Sequence, residues 1–478
     1  MKHMKLLWLM FLLPLIAATP LAAVCAGPAF AGDATLDKWN ARTNLVREAV
    51  VFADFRFENV NATNGLPRVL VIGDSIVGNY FSDTAKALEG KANCVQLKVS
   101  RCVGDPVLLK EAALAFGQYP FDVIHFNNGL HGWKTSEEEY ASYLEDFVLF
   151  LKRYQPDAKL VWSRITPSKA CAGGGADPSG RDPRIVKRNE LADSIMNKHG
   201  VLVTDLNSIP MGHPEWYSDM AHFNSEGRKK LAEAVVKSIM KVLHTKTAGG
   251  QHPCVVPVLG TDPLTEKWAS RTVIPREDIE WESFWVENAN IDKCPRNALF
   301  IGDSVLGNYY NQVAEALRGK VRCLRLLSSR FVGDPMLLEE TRLAFSLIDF
   351  QTIVVNNGLH GYDGTTEDGY AKDLAEYIDF IRRLNPSAKV VWVRTTPMTP
   401  KFKAYAERKD RLDKRNEIAD AIMLARGIPA IDLHAIAAAH PDYYSWDGIH
   451  FNELGGKAFA KPVTAAVLNS FGLKTGSK

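Results

Sequence analysis

Two serines stand in nearly the same short phrase. Ser75 lies in VIGDSIVGNYF, beginning at Val71, and Ser304 lies in FIGDSVLGNYY, beginning at Phe300; the two are 229 residues apart. Each follows Gly-Asp at the end of an apolar run, where a strand turning into a helix would lift a hydroxyl over the sheet edge. A serine hydroxyl is a poor nucleophile at neutral pH and needs a base beside it. The chain offers one in duplicate, as Asp219 and His222 in SDMAHFNSEG and Asp447 and His450 in WDGIHFNELG. Three residues apart in a turn, the carboxylate reaches one imidazole nitrogen and leaves the other for the serine, as in a Ser-His-Asp relay. Acyl transfer also needs donors for a developing oxyanion. Gly104 and Gly333 precede an Asp-Pro that opens a helix, and Asn127 and Asn356 end an apolar strand. Taken singly, these residues read as helix caps and turn formers. Their conjunction at successive strand ends, twice in one chain, favours chemistry.

The elements that must position them repeat as well. VSRCVGDPVLLKEAALAF answers SSRFVGDPMLLEETRLAF, AKLVWSRITP answers AKVVWVRTTP, and KRNELADSIM answers KRNEIADAIM. Each half alternates short apolar runs with amphipathic stretches long enough for helices. In the first half RVLVI, CVQLKV, FDVIHFN, KLVWSRI and VLVTDL read as strands. That alternation predicts an α/β fold with a parallel sheet covered on both faces, and ligands bind such sheets beyond the strands' carboxyl ends. The expected organisation is residues 33–243, a linker over 244–263, and residues 264–474.

Composition narrows the function. With 57 basic and 55 acidic residues and a net charge of +2, the chain lacks the basic excess that nucleic-acid binding needs. Residues 1–31 carry a basic start, an apolar run and a small-x-small Ala29-Phe30-Ala31, and read as a signal peptide. The expectation is a periplasmic or secreted protein with no stable membrane insertion after cleavage. Removal of Cys25 would leave Cys94, Cys102, Cys171, Cys254, Cys294 and Cys323, which allow fifteen disulfide connectivities; Cys254 and Cys294 flank the linker. No C-x-x-C pair or third ligand suggests a metal, and no cofactor is expected.

The blocks Gly73-Asp74-Ser75, Gly104, Asn127 and Asp219/His222, with Gly302-Asp303-Ser304, Gly333, Asn356 and Asp447/His450, resemble those of the SGNH hydrolases, also called GDSL-type esterases, in two tandem copies. The resemblance implies two flavodoxin-like three-layer α/β/α sandwich domains, each with a parallel sheet of about five strands, and metal-free serine hydrolysis of esters. In that reading Ser75 and Ser304 attack, His222 and His450 move the proton, Asp219 and Asp447 orient them, and Gly104, Asn127, Gly333 and Asn356 hold the oxyanion. The third block departs from the family's Gly-x-Asn-Asp: it reads His125-Phe126-Asn127-Asn128 and Val354-Val355-Asn356-Asn357, followed by Gly-Leu-His. His131 and His360 are therefore alternative oxyanion donors or substrate contacts, as are Arg101 and Arg330 for an anionic group. Trp133 and Tyr362 are candidates for stacking on a sugar.

The expected activity is hydrolysis of O-acyl esters, foremost O-acetyl, on a carbohydrate. The alternatives are a lipid esterase or thioesterase of the same fold, a saccharide O-acyltransferase, and a carbohydrate-binding protein with one or both sites idle. A Gly-rich SKACAGGGADPSGRDP facing a Lys-rich MTPKFKAYAERKD at equivalent places suggests different specificities.

Overall fold

The computed structural model describes residues 33–59, 64–118, 120–244, 262–271, 274, 276–290 and 295–474. The signal-peptide reading, most of the linker, Cys254 and Cys294 lie outside these residues. In chain order the strands are β1 (Val50–Glu58), β2 (Arg68–Gly73), β3 (Asn93–Val99), β4 (Val123–Phe126), β5 (Lys159–Ser163), β6 (Leu202–Thr204), β7 (Ile279–Glu287), β8 (Asn297–Gly302), β9 (Arg322–Ser328), β10 (Thr352–Val355), β11 (Lys389–Val393) and β12 (Ala430–Ile431).

All twelve form one sheet in the order β12-β11-β10-β8-β9-β7-β1-β3-β2-β4-β5-β6. Within each half five strands are parallel, in the order β3-β2-β4-β5-β6 and its repeat. The two separate sheets expected from the sequence are therefore corrected to one. The reason is a sixth strand in each half. β1 pairs antiparallel with β3, β7 pairs antiparallel with β9, and β1 and β7 pair antiparallel with each other from Val50↔Glu287 to Glu58↔Ile279. VVFADFRFE alternates buried and less buried positions, with Val51, Ala53, Phe55 and Phe57 inward, which is the period-2 signature of a strand covered on one face.

The helices follow their local signals. Asp105 and Asp334 cap Pro106–Phe116 and Pro335–Leu347, each with Pro in the first turn. Ser136 and Glu139 form a capping box on Glu137–Tyr154. On one face of the sheet a single apolar core runs through both halves, joining Phe57, Leu97 and Phe116 to Phe284, Leu324 and Leu337. On the other face each half has its own core. One lies beneath Ser75–Ala87 and Ser225–Leu243, the other beneath Ser304–Leu317 and Glu453–Ser470.

Three antiparallel pairings separate β3 from β9, so the parallel strands of the two halves run in opposite directions. Their carboxyl ends open at opposite edges of the sheet. Ser75 follows β2 and Ser304 follows β8, five strand spacings away. At about 4.8 Å per spacing and about 3.3 Å per residue along a strand, the two serines stand on the order of 30 Å apart. No described helix is long and apolar enough to cross a membrane.

Candidate active sites

Each serine is the first residue of a helix that begins where its strand ends. Asp74 and Asp303 cap these helices, accepting from Ile76 and Val305 N–H at 2.9 Å. Gly73 is needed for space rather than for an unusual dihedral, since any side chain there would collide with Val77 on the next turn. His222 Nε2 lies 2.7 Å from Ser75 Oγ, and its Nδ1 lies 2.8 Å from Asp219 Oδ2. In the second half His450 Nε2 lies 2.7 Å from Ser304 Oγ and Nδ1 lies 2.6 Å from Asp447 Oδ2. The free carboxylate oxygens accept the backbone N–H groups of Ala221 and His222, and of Ile449 and His450. Burial pushes the Asp219 carboxyl up, but these two N–H groups and the imidazole outweigh it and hold it at about 2. Asp447 is lowered by the same balance.

Asn79 and Asn308 escaped notice in the sequence. Each lies one helical turn beyond its serine and accepts the backbone N–H of the residue after the histidine, Phe223 or Phe451, at 2.9 Å. The serine helix thereby fixes the histidine loop. Both asparagines belong to the repeated GNY of the opening phrase, so the signal was present.

Gly104 and Gly333 have φ of +87° and +111°, a left-handed conformation that favours glycine. The Gly104 Cα also faces the Tyr143 ring and Arg42, which a side chain would strike. Asn127 and Asn356 follow β4 and β10, and their Nδ2 atoms donate to the carbonyls of Ser163 at 2.7 Å and Val393 at 2.8 Å. The second asparagine of each pair is a brace. Asn128 bonds Val103 N–H and the Arg101 carbonyl, and Asn357 bonds Val332 N–H and the Arg330 carbonyl, tying the glycine loop to the asparagine loop.

His131 and His360 are mostly buried, with Nδ1 on Glu48 at 2.8 Å and Glu277 at 3.1 Å. Burial disfavours their charged form, but these glutamates and the nearby Asp74 and Asp303 carboxylates outweigh it and raise both imidazoles. Their place is therefore beside the serine's own capping aspartate. The Gly-Leu-His-Gly loop is cradled by a fully buried arginine that sequence reasoning also passed over. Arg188 donates to the carbonyls of Gly129, His131 and Gly132, and Arg415 to those of Gly358, His360 and Gly361. Its trace was the verbatim KRNE in both halves.

Four expected substrate contacts need correction. Arg101 is buried against Glu111 at 3.1 Å, and Arg330 is enclosed by Glu280, Asp334 and Glu340, so neither guanidinium reaches a surface. The Tyr362 ring is buried and covered by Arg408, Arg411 and Arg415, and Trp133 is flanked by Arg181, Arg184 and Arg188. A guanidinium on the ring occupies the face a sugar would need. His125 is a wholly buried strand residue whose Nε2 meets Ser163 Oγ at 2.7 Å; burial pushes its imidazole down to about 3. Cys94, Cys102 and Cys171 carry free thiols, and among the described residues no group of three or more potential ligands is placed to hold a metal.

Residues 349–458, inside the second half, match the model of the GDSL-like lipase/acylhydrolase family. That match supports ester hydrolysis at a general level. No curated protein matches the chain. Among solved structures it is similar to a lipase/acylhydrolase from Enterococcus faecalis, with 16% identity over 38% of this chain and 100% of that one, and a TM-score of 0.33. It is likewise similar to a GDSL-like lipase from Bacteroides thetaiotaomicron, with 15% identity over 37% and 89% and a TM-score of 0.32. An acetylxylan esterase from Geobacillus stearothermophilus shows 16% identity over 36% and 94%, with a TM-score of 0.30.

Proposed function

We propose that the protein is an exported serine esterase with two active sites, one per half, that removes O-acyl groups, foremost acetyl, from a carbohydrate. Each half is read as a flavodoxin-like domain of the GDSL type. The observation that carries this reading is the unbroken Ser-His-Asp chain in both halves, with every link at 2.6–2.8 Å.

Ser75 Oγ attacks the ester carbonyl while His222 Nε2 takes its proton. The tetrahedral oxyanion forms against Gly104 and the unused N–H of Asn127, near the head of the serine helix, where the peptide dipoles favour negative charge. Collapse breaks the bond to the alcohol oxygen, which receives the proton from His222, and leaves the acyl group on Ser75. Water then repeats the sequence, releasing the acid and restoring the serine. Asp219 keeps the imidazole in the tautomer that accepts at Nε2. Ser304, His450, Asp447 and Gly333 take the same roles in the second site, joined by Asn356 when its second N–H leaves the Thr395 hydroxyl. Because the sites open at opposite edges, each serves its own ester, on separate molecules or on separate stretches of one polymer.

Intact mass after fluorophosphonate treatment tests the reading on the wild type, Ser75→Ala and Ser304→Ala. Two adducts are expected, each lost with its own serine. A folded protein that takes no adduct overturns the esterase reading and leaves a binding protein.

A further inference from the structure

The two histidine loops start and end alike. The Tyr217 and Tyr444 hydroxyls donate to the carbonyls of Pro167 and Pro397 at 2.9 and 2.8 Å, and each tyrosine bridges to Phe223 or Phe451. Ser218 and Ser445 N–H then donate to the carbonyls of His222 and His450 at 2.9 and 2.8 Å, which makes the two serines equivalent. Between that serine and the triad aspartate the first half has nothing and the second has Trp446. The second loop is thus longer by one residue, and that residue is a tryptophan.

Trp446 is 88% exposed, more than any other large apolar residue described, and its indole makes no ring contact among the described residues. Holding an indole in water gains none of the stabilisation that burial gives. The insertion leaves the triad unchanged, since His450 keeps both of its partners at 2.6–2.7 Å. A side chain that contributes nothing to the fold and adjoins Asp447 is placed to be covered by something from outside.

The chemistry indicates which part of the substrate that is. His450 must return its proton to the departing alcohol oxygen, so the alcohol lies against the histidine loop while the acyl carbonyl turns towards Gly333 and Asn356. Trp446 therefore stands on the alcohol side. The segment packed against this loop, where Thr399 N–H donates to the Gly448 carbonyl at 2.8 Å, carries the exposed Lys401 and Lys403. A flat apolar face beside N–H donors matches a pyranose ring, which presents C–H groups on its face and hydroxyls at its edge. The first loop offers Ser218 and, in place of Gly448, a half-exposed Met220, whose flexible thioether selects shape weakly.

We propose that Trp446 is a stacking platform for the sugar ring that carries the ester at the second site, and that the first site lacks it. This rests on the reading of the second half as an ester hydrolase. The test uses the full chain with Ser75→Ala, so that only the second site turns over, and compares acetylated xylo-oligosaccharide with ethyl acetate. Trp446→Ala is expected to raise KM for the oligosaccharide about tenfold with kcat unchanged, and to leave ethyl acetate kinetics unaltered, while Trp446→Phe restores most of the loss. An unchanged KM, or an equal change with ethyl acetate, overturns the proposal. If the Ser75→Ala protein cleaves neither ester, the hydrolase reading of this half fails on its own account. The platform is then decided by calorimetry on the Ser75→Ala/Ser304→Ala protein with xylo-, gluco- and chito-oligosaccharides. About tenfold weaker binding with Trp446→Ala supports it, whereas no binding, or binding indifferent to Trp446, overturns it.

Discussion

The first half and the second half differ least where a proton has to move and most where a substrate would approach. Serine, histidine and aspartate agree between them, and so do the braces at Asn79/Asn308, Asn128/Asn357 and Arg188/Arg415. The rims diverge: Trp446 has no counterpart, Met220 stands for Gly448, and a Gly-rich loop faces a Lys-rich one. Even within the triads one quantity separates them. The Asp219 side chain is 57% exposed and Asp447 only 24%. On the proposed reading, the comparison teaches that the two halves share one reaction and open two approaches to it.

The sharpest way to break that comparison is to silence each site alone. Ser75→Ala and Ser304→Ala should each lower kcat at the affected site by about 10⁶ and leave the other site untouched, read as separate loss of fluorophosphonate adducts and of ester turnover. Loss of both adducts from one substitution would show that the sites are not independent. Next in size is the aspartate. Asp447→Asn should slow its site by about 10⁴, and Asp219→Asn should slow its own by about tenfold less, because water reaches Asp219 and helps orient the imidazole. Equal losses would mean that exposure of the aspartate does not matter.

The parallel strands and their helices were legible because each carries its own local signal: Asp-Pro caps, a Ser136/Glu139 box, and apolar runs of strand length. Each triad was legible because its members are short motifs at strand ends. What stayed hidden depends on pairing at long range. β1 alternates clearly, yet nothing in VVFADFRFE says that its partner will be β7, so the fusion of two sheets into one could not be read. Arg101 and Arg330 were misplaced for a related reason. Their carboxylate partners lie on other elements, and only the shared core shows that the guanidiniums point inward. Trp446 was visible as a letter, but its meaning needed the equivalence of Ser218 and Ser445.

The seam between the halves is itself asymmetric. Where β1 places Val51 and Ala53, β7 places the buried Glu280 and Glu282. Glu282 is pushed well up by burial and then by Glu340, which burial also raises, with Arg330 and Glu111 the other charges facing them. Glu111, buried beside Arg101, is pushed up to about 7. A carboxyl raised in the folded state binds its proton more tightly than in the unfolded chain. Its contribution is therefore complete below the ordinary glutamate range and is lost as pH rises through the folded value. Stability should fall between about pH 5 and pH 8, and Glu282→Gln should recover part of that loss, raising the midpoint by about 3 °C at pH 8 with little change at pH 5. Thermal unfolding at the two pH values checks this. An equal gain from Glu282→Gln at both pH values would contradict this account.

The smallest effect tests the oxyanion side. Asn356 Nδ2 donates to the Val393 carbonyl and also, at 3.1 Å, to Thr395 Oγ1, so both of its N–H groups are engaged. In the first half the position of Thr395 is held by Ile165, which has no acceptor; the equivalence is fixed by Asn189 and Asn416, which accept the N–H of Ile165 and Thr395 at 2.8 and 2.9 Å. On the proposed reading, Asn127 therefore keeps one N–H for an oxyanion, whereas Asn356 must first give up the threonine. Thr395→Val should remove that competition and raise kcat at the second site by about threefold without moving KM, because the freed N–H acts on charge that exists only in the transition state. Ile165→Thr should lower kcat at the first site by a similar factor. Steady-state kinetics of each variant, with the opposite serine changed to alanine, reads both directions. A fall with Thr395→Val would mean that the hydroxyl holds Asn356 in place rather than competing for it.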